Sequence, residues 1–268
     1  HILSGFTPDM DSFIGGGPDQ YGSSHVDRAT IRDIFSTWKS AEAFLTFSIG
    51  TVRAYISMDK EKNSVLTQDA DLLKEIYAIT ETTVINKKSW LGLVEKIIFS
   101  HLSACAPYVS PFSINNPDGW CYWLIHFANS RRARQVYNDV LHANDDVQIH
   151  IGRSGLRMLS YDPAFEQTPY LFDKSSRETA KRELYDDIPR LVNEQGDAMN
   201  VEEFYGRIYN ETPAHSDDIH EMMLANPDVE VLTSEGNPRR SAKAISSDDT
   251  LRVKSQKSFF PIFLGKEK

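Results

Sequence analysis

The stretch TIRDIFSTWKSAEAFLTFS, Thr30–Ser48, decides how the first half of the chain is read. Its opening residues set Ile31, Ile34, Phe35 and Trp38 on one face of a helix, with Asp27 or Thr30 in position to cap it. Its last seven residues, EAFLTFS, are aromatic-rich and apolar at the centre, which predicts a short strand buried in a parallel sheet. Helix, short loop and buried strand make one αβ unit of a doubly wound α/β domain.

Downstream, Gln68–Thr80 and Lys87–Ala104 have helical spacing, and the second carries a broad apolar face of Trp90, Leu91, Val94, Ile97, Ile98 and Leu102. Two strand-like runs follow, Tyr108–Ile114 and Trp120–Phe127. The Asn-Asn-Pro-Asp-Gly between them is strong turn chemistry, so an antiparallel hairpin is expected to close the domain. Asn129-Ser130 then caps a helix that starts at Arg131. Val147–Ile151 and Leu156–Ser160 read as short strands, and the proline-punctuated stretch Asp162–Asp173 as a connector.

Beyond the connector the pattern changes. Ser175–Asn193 is a long helix with Leu184, Ile188, Leu191 and Val192 on one side and a kink expected at Pro189. Val201–Tyr209 is a second helix, and Ser216 is placed to cap a third that runs through Leu224. Strands are expected at Val229–Thr233, Arg240–Ile245 and Thr250–Val253, with a tight turn at Glu235-Gly236-Asn237-Pro238. Three helices followed by a stranded wing is winged-helix order, with a helix-turn-helix inside it. The expected fold is therefore α/β: a partial Rossmann-like, methyltransferase-type domain over 29–165, then a winged-helix domain over 175–257. An irregular segment (1–28) and a tail (258–268) flank them.

The bulk numbers, 268 residues with 40% hydrophobic and 25% charged, are those of an ordinary globular chain. No run approaches the roughly 20 apolar residues of a membrane span, and no secretory-type leader precedes the first helix. Cys105 and Cys121 lack CxxC spacing, so neither a zinc site nor a disulfide framework is indicated, and a reducing cytoplasm is the expected setting. The start at His1, followed by Gly- and Pro-rich sequence, reads as the truncated or altered front of a longer product. The net charge of −9 hides a segregation. Glu211 to Glu235 holds seven acidic residues and no Lys or Arg, whereas Arg239 to the end holds eight basic residues against three acidic ones.

Several segments have candidate chemistry. Arg131, Arg132 and Arg134 open a helix, where cations oppose the helix dipole. With Arg153 and Arg157 at a neighbouring turn, they are candidate phosphate ligands. A solvated surface paired with Asp139, Asp145 or Asp146 is the alternative. Arg239, Arg240 and Lys243 on the wing are the second candidate backbone contact. The third helix, SDDIHEMML, is unlike a base-reading helix, because Asp217, Asp218 and Glu221 would face a polyanion. Gly15-Gly16-Gly17 lacks the strand, helix and Lys-Ser/Thr of a phosphate loop and reads as a linker. His126, inside WLIHFA, reads as a core histidine.

DQYGSSHV (Asp19–Val26), IRDIFSTWKSAEAFLTF (Ile31–Phe47), WLIHFANSRRARQVYNDVL (Trp123–Leu141) and GLRMLSYDP (Gly155–Pro163) together resemble the three-Cys-motif partner proteins. That resemblance implies an ancestry among Rossmann methyltransferases. It also implies a small three-Cys-motif protein encoded nearby as partner, and a setting in phage or mobile elements. In the family a strand leads into an Asp-x-Phe-Ala-Gly-type loop that takes S-adenosylmethionine, and nothing in this sequence resembles that loop. The resemblance would make Asp19, Tyr21 and Gly22 the turn that positions a target amine, at the carboxyl end of a strand. A self-bonded tight turn is the alternative. An auxiliary partner acting on nucleic acid, with no cofactor in this chain, is the leading expectation. The alternatives are an S-adenosylmethionine-dependent methyltransferase truncated at its N-terminus, and a winged-helix DNA-binding regulator.

Overall fold

The apolar face at the start of Thr30–Ser48 does form a helix, α1 (Arg28–Thr37), with Ile31 and Phe35 buried. Strand β1 (Glu42–Phe47) follows. In this computed structural model the described residues are 28–57, 70–82, 87–115, 121–143, 150–151, 169–170, 172–212 and 214–254. Strands β2 (Tyr108–Asn115) and β3 (Cys121–Ala128) form the expected hairpin. The sheet order is β1-β3-β2. Both β1 and β2 run antiparallel to β3, in registers that set Phe44 and Ser110 opposite His126.

This corrects the expectation of a fully buried parallel strand. Leu45 and Phe47 are buried while Glu42, Phe44 and Thr46 are exposed, the two-residue alternation of a sheet with one covered face. The aromatic content that pointed to two-sided burial has another source: Phe44 stays half exposed while lying against the His126 and Tyr137 rings.

Helices α2 (Ile49–Tyr55), α3 (Ala70–Thr82) and α4 (Lys87–Ser103) connect β1 to β2. Trp90, Val94, Ile97, Ile98 and Leu102 of α4 are buried in one cluster with Leu45, Phe47, Val109, Trp123, Ile125 and Phe127. Helix α5 (Arg131–Ala143) lies on the other face, where Tyr137 stacks on His126 with centroids 4.5 Å apart. Ser130 caps α5 as expected, its hydroxyl accepting from the Ala133 N–H at 3.1 Å. Asn129 closes the end of α1 instead, its amide donating to the carbonyls of Phe35 (3.0 Å) and Trp38. A two-residue pair, β4 (His150–Ile151) with β5 (Pro169–Tyr170), follows. Part of the expected connector is thus strand, and the strand expected at Leu156–Ser160 lies outside the described residues.

The remainder has the winged-helix arrangement. Its elements are α6 (Lys174–Glu194), β6 (Ala198–Asn200), α7 (Val201–Ile208), α8 (Ser216–Ala225), β7 (Val229–Leu232) and β8 (Thr250–Val253), with sheet order β6-β8-β7. Leu184, Ile188 and Val192 of α6 close over Phe204, Ile208, Ile219, Met223, Val231 and Leu251. Three local expectations change. The short β6 was not anticipated. Arg240–Ile245 is a 3-10 turn (Ala242–Ala244) rather than a strand. The cap of α8 is His215, not Ser216, its Nδ1 accepting from the Asp217 N–H at 3.1 Å.

Pro189 lies inside α6 without ending it. A proline leaves the carbonyl four residues earlier without its helical donor. That carbonyl belongs to Tyr185, and the Asn226 side-chain amide donates to it at 2.5 Å. Asn226 also accepts from the Asp228 N–H at 2.8 Å, so one buried amide serves two elements. Asn226→Ala is expected to cost about 1–3 kcal/mol, the range for stranding a buried backbone group. Urea denaturation followed by circular dichroism measures it, and a loss under about 0.5 kcal/mol would contradict the assignment.

Candidate functional site

Helix α5 carries its arginines into a seam with the winged-helix domain. Arg134 is wholly buried. Its Nε donates to the Tyr209 carbonyl and its Nη2 to the Thr212 carbonyl, both at 3.1 Å. These are the carbonyls that follow α7, in the turn that leads to α8. The guanidinium lies over the Tyr209 ring at 5.3 Å and nearer the limit of contact, 6.0 Å, from Tyr137. Burial pushes its pKa down to about 10, with the Tyr209 and Tyr137 phenols opposing the shift. It remains a cation at neutral pH.

Neighbouring side chains of α5 extend the same contact. Asn138 donates to the Ala214 carbonyl at 2.9 Å, and Gln135 to the Ser216 hydroxyl at 3.1 Å. Arg131 pairs with Glu202 at 2.6 Å and lies 5.2 Å over the Tyr205 ring. Asp139 approaches His215 at 3.5 Å. On the sheet side, Asn210 accepts from the Val109 N–H at 2.7 Å and donates to the Pro107 carbonyl at 2.9 Å. Helix α5 therefore occupies the helix-turn-helix turn and the start of α8. In a groove-reading domain, that end of the recognition helix meets base edges.

The acidic third helix is explained by its partners. Asp218 is buried and takes a two-point contact from Arg177 of α6 at 2.7 and 2.8 Å. Lys181 pairs with Glu221 at 2.8 Å and holds its proton more tightly than an isolated lysine because of it. Of the three carboxylates, Asp217 and Glu221 remain exposed. The helix is thus anchored to α6 through the face that was read as repelling a polyanion.

The candidate residues separate accordingly. Arg132 is exposed on α5, Arg131 is half-buried in its ion pair, and Arg134 is inside the protein, which corrects its reading as a surface phosphate ligand. On the wing, Arg239 is tied by two bonds of 2.7 and 2.8 Å to the buried Asp249, which also accepts from the Ser246 N–H. The guanidinium and that backbone donor hold the Asp249 carboxyl below the usual range despite its burial. Arg239 is hence a structural strut of the wing rather than a free cation. Arg240 and Lys243 are exposed and form no ion pair with a described residue. Gly236, at φ +84°, makes the wing turn at a backbone angle that favours glycine. Asp19, Tyr21, Gly22, Arg153 and Arg157 lie outside the described residues.

One constellation was not visible in the sequence. Glu42, His126 and Ser110 come from three adjacent strands, with His126 Nε2 2.8 Å from Glu42 Oε1. The order is that of a hydrolase triad, but the chemistry does not follow. His126 and Ser110 are buried, and neither His126 Nδ1 nor the Ser110 hydroxyl has a hydrogen-bond partner. Burial lowers the His126 pKa to about 4, against the opposing pull of Glu42, so the ring is a weak proton acceptor. Only strand register, set by residues far apart in the chain, brings these groups together. Among the described residues no group of three or more His, Cys, Asp or Glu is placed to hold a metal ion. No described helix is long and apolar enough to cross a membrane.

Comparison with known families agrees with the winged-helix geometry: the model of a GMT-like wHTH domain matches residues 160–236. No curated protein and no solved structure matches the chain.

Proposed function

We propose that this chain is a nucleic-acid-binding auxiliary protein: a methyltransferase-like partner that works with a three-Cys-motif protein in phage- or mobile-element-associated nucleic-acid processing. The observation that carries the nucleic-acid part is the wing, where Arg240 and Lys243 stand exposed between the Gly236 turn and β8 while α8 is anchored inward. The wing touches phosphates, and the protein binds without reading bases through α8. The sheet supports the methyltransferase-like part. Strands β1 and β2 run in the same direction with β3 inserted antiparallel between them, as expected where a doubly wound domain ends in a hairpin.

Fluorescence anisotropy with a short duplex DNA over a salt series tests the first part. Two phosphate contacts contribute about 1.8 to the slope of log K against log salt. Arg240→Ala with Lys243→Ala is expected to flatten the slope by that amount and to weaken binding by at least about tenfold at low salt. An unchanged slope removes the wing from the interface. Arg239 is left intact because its loss would strand the Asp249 carboxylate. Co-purification with the three-Cys-motif protein tests the partner, and failure to co-purify speaks against it.

A winged-helix DNA-binding regulator is the second reading, favoured by the GMT-like wHTH match. It requires one duplex sequence to be preferred strongly over others at fixed salt. Methyl transfer is the third. The given sequence has no counterpart of the Asp-x-Phe-Ala-Gly loop that seats S-adenosylmethionine in the family it resembles. Calorimetry with S-adenosylmethionine on the longest gene product decides it.

A further inference from the structure

Three arginines, Arg131, Arg132 and Arg134, open α5 with no acidic residue in its first turn, an arrangement the helix dipole opposes. In this structure the winged-helix domain supplies the compensating negative charge. Glu202, in the first turn of α7, pairs with Arg131 at 2.6 Å, Asp217 stands in the first turn of α8, and the Tyr209 and Thr212 carbonyls accept from Arg134. The match is incomplete. Arg134 is fully buried with no carboxylate bonded to it, and its Nη1 has no hydrogen-bond partner. A buried cation without a counter-ion carries a large desolvation cost that two carbonyls and two aromatic rings offset only in part.

The rest of the seam is mixed. The two large apolar cores are separate clusters. Between them lie hydrogen bonds and an ion pair, a small buried cluster of Tyr137 and Leu141 with Phe172 and Ala180, and Tyr108 packed on the winged-helix core. Interfaces between domains of one chain permit relative motion unless they are large and hydrophobic.

We propose that the arginine end of α5 is a second nucleic-acid backbone site, which the acidic helix-turn-helix covers in the docked state by standing in for phosphate. Nucleic acid and the winged-helix domain then compete for Arg131 and Arg134, and engagement through the wing brings phosphates to α5 as the seam opens. The proposal rests on the reading of nucleic acid as this protein's ligand. Its signature is separate: the apparent affinity is lowered by the fraction of molecules that are docked, so weakening the seam tightens binding.

Asn210→Ala removes both seam bonds of Asn210 without changing any charge, and it is expected to tighten duplex binding about tenfold. Glu202→Gln, which removes the charge that holds Arg131, is expected to tighten it up to about fivefold. Adding Arg131→Ala to Asn210→Ala should cancel most of that gain. The Val109 N–H, which donates to Asn210 in the docked state, reports opening directly. Saturating duplex should speed its hydrogen exchange in the otherwise unaltered protein. If neither Asn210→Ala nor Glu202→Gln binds more tightly, or if duplex leaves Val109 exchange unchanged, masking is wrong and the wing reading stands. If neither the unaltered protein nor an opened variant binds duplex, both readings fall.

Discussion

Trp90→Ala is expected to remove about 3–5 kcal/mol from the α/β unit and to leave the unfolding of the winged-helix domain nearly where it was. Trp90 is 1% exposed, and its indole N–H donates to the Thr80 hydroxyl at 3.0 Å. Truncation therefore opens a cavity in the cluster shared by α4 and the sheet and removes the bond to the half-buried Thr80 hydroxyl. The winged-helix core is a different cluster, reached across a seam of hydrogen bonds and a small apolar cluster of Tyr137, Leu141, Phe172 and Ala180. All four tryptophans precede residue 124, so indole fluorescence follows the first unit, while calorimetry records both transitions. Two transitions, of which only the tryptophan-reported one moves, are the expected result. A single transition that shifts as a whole would mean that the seam couples the units far more strongly than their separate large cores imply.

The second large effect is acid sensitivity of the α/β unit, centred on His126. Burial lowers its pKa from 6.5 to about 4, and the unfolded chain binds a proton at the higher value. Between those two pH values the unfolded state holds more protons than the folded one, so stability rises with pH across that window. The contribution is fully present above about pH 6.5 and is lost as pH falls towards 4. The whole shift corresponds to roughly 3 kcal/mol. His220 is lowered by burial as well and acts with the same sign on the winged-helix domain. His126→Gln should flatten the dependence of the tryptophan-reported stability on pH between 4 and 6.5, as read from urea midpoints. A profile as steep as that of the unaltered protein would move the origin of the effect to other groups.

Local features were legible wherever a short-range rule governs them. The apolar face of α4, the pairing of β2 with β3 as a hairpin, the Ser130 cap and the limits of β8 all follow from spacing within a few residues. Gaps and errors arose where a nearby rule met a distant partner. Pro189 signalled a kink within one long helix, and no local rule foretold that Asn226, thirty-seven positions on, satisfies the carbonyl it frees. The central aromatics of β1 signalled two-sided burial, although one of them covers a histidine that arrives from β3.

The arginines that open α5 show both sides of this division. From sequence alone, three cations against a helix dipole pointed to a partner, either a phosphate or a nearby surface carboxylate. The sequence also determined the winged-helix order, because helical periods, caps and turn residues are local. Only the tertiary structure decided which group answers Arg134: carbonyls 75 and 78 residues away, in the turn before α8. It likewise tied Arg239 to Asp249 and left Arg240 and Lys243 exposed. A charge in a sequence announces that it needs a partner. Whether water, a buried carboxylate or another domain supplies that partner depends on which distant segments fold against it, and desolvation then sets what remains available to a ligand.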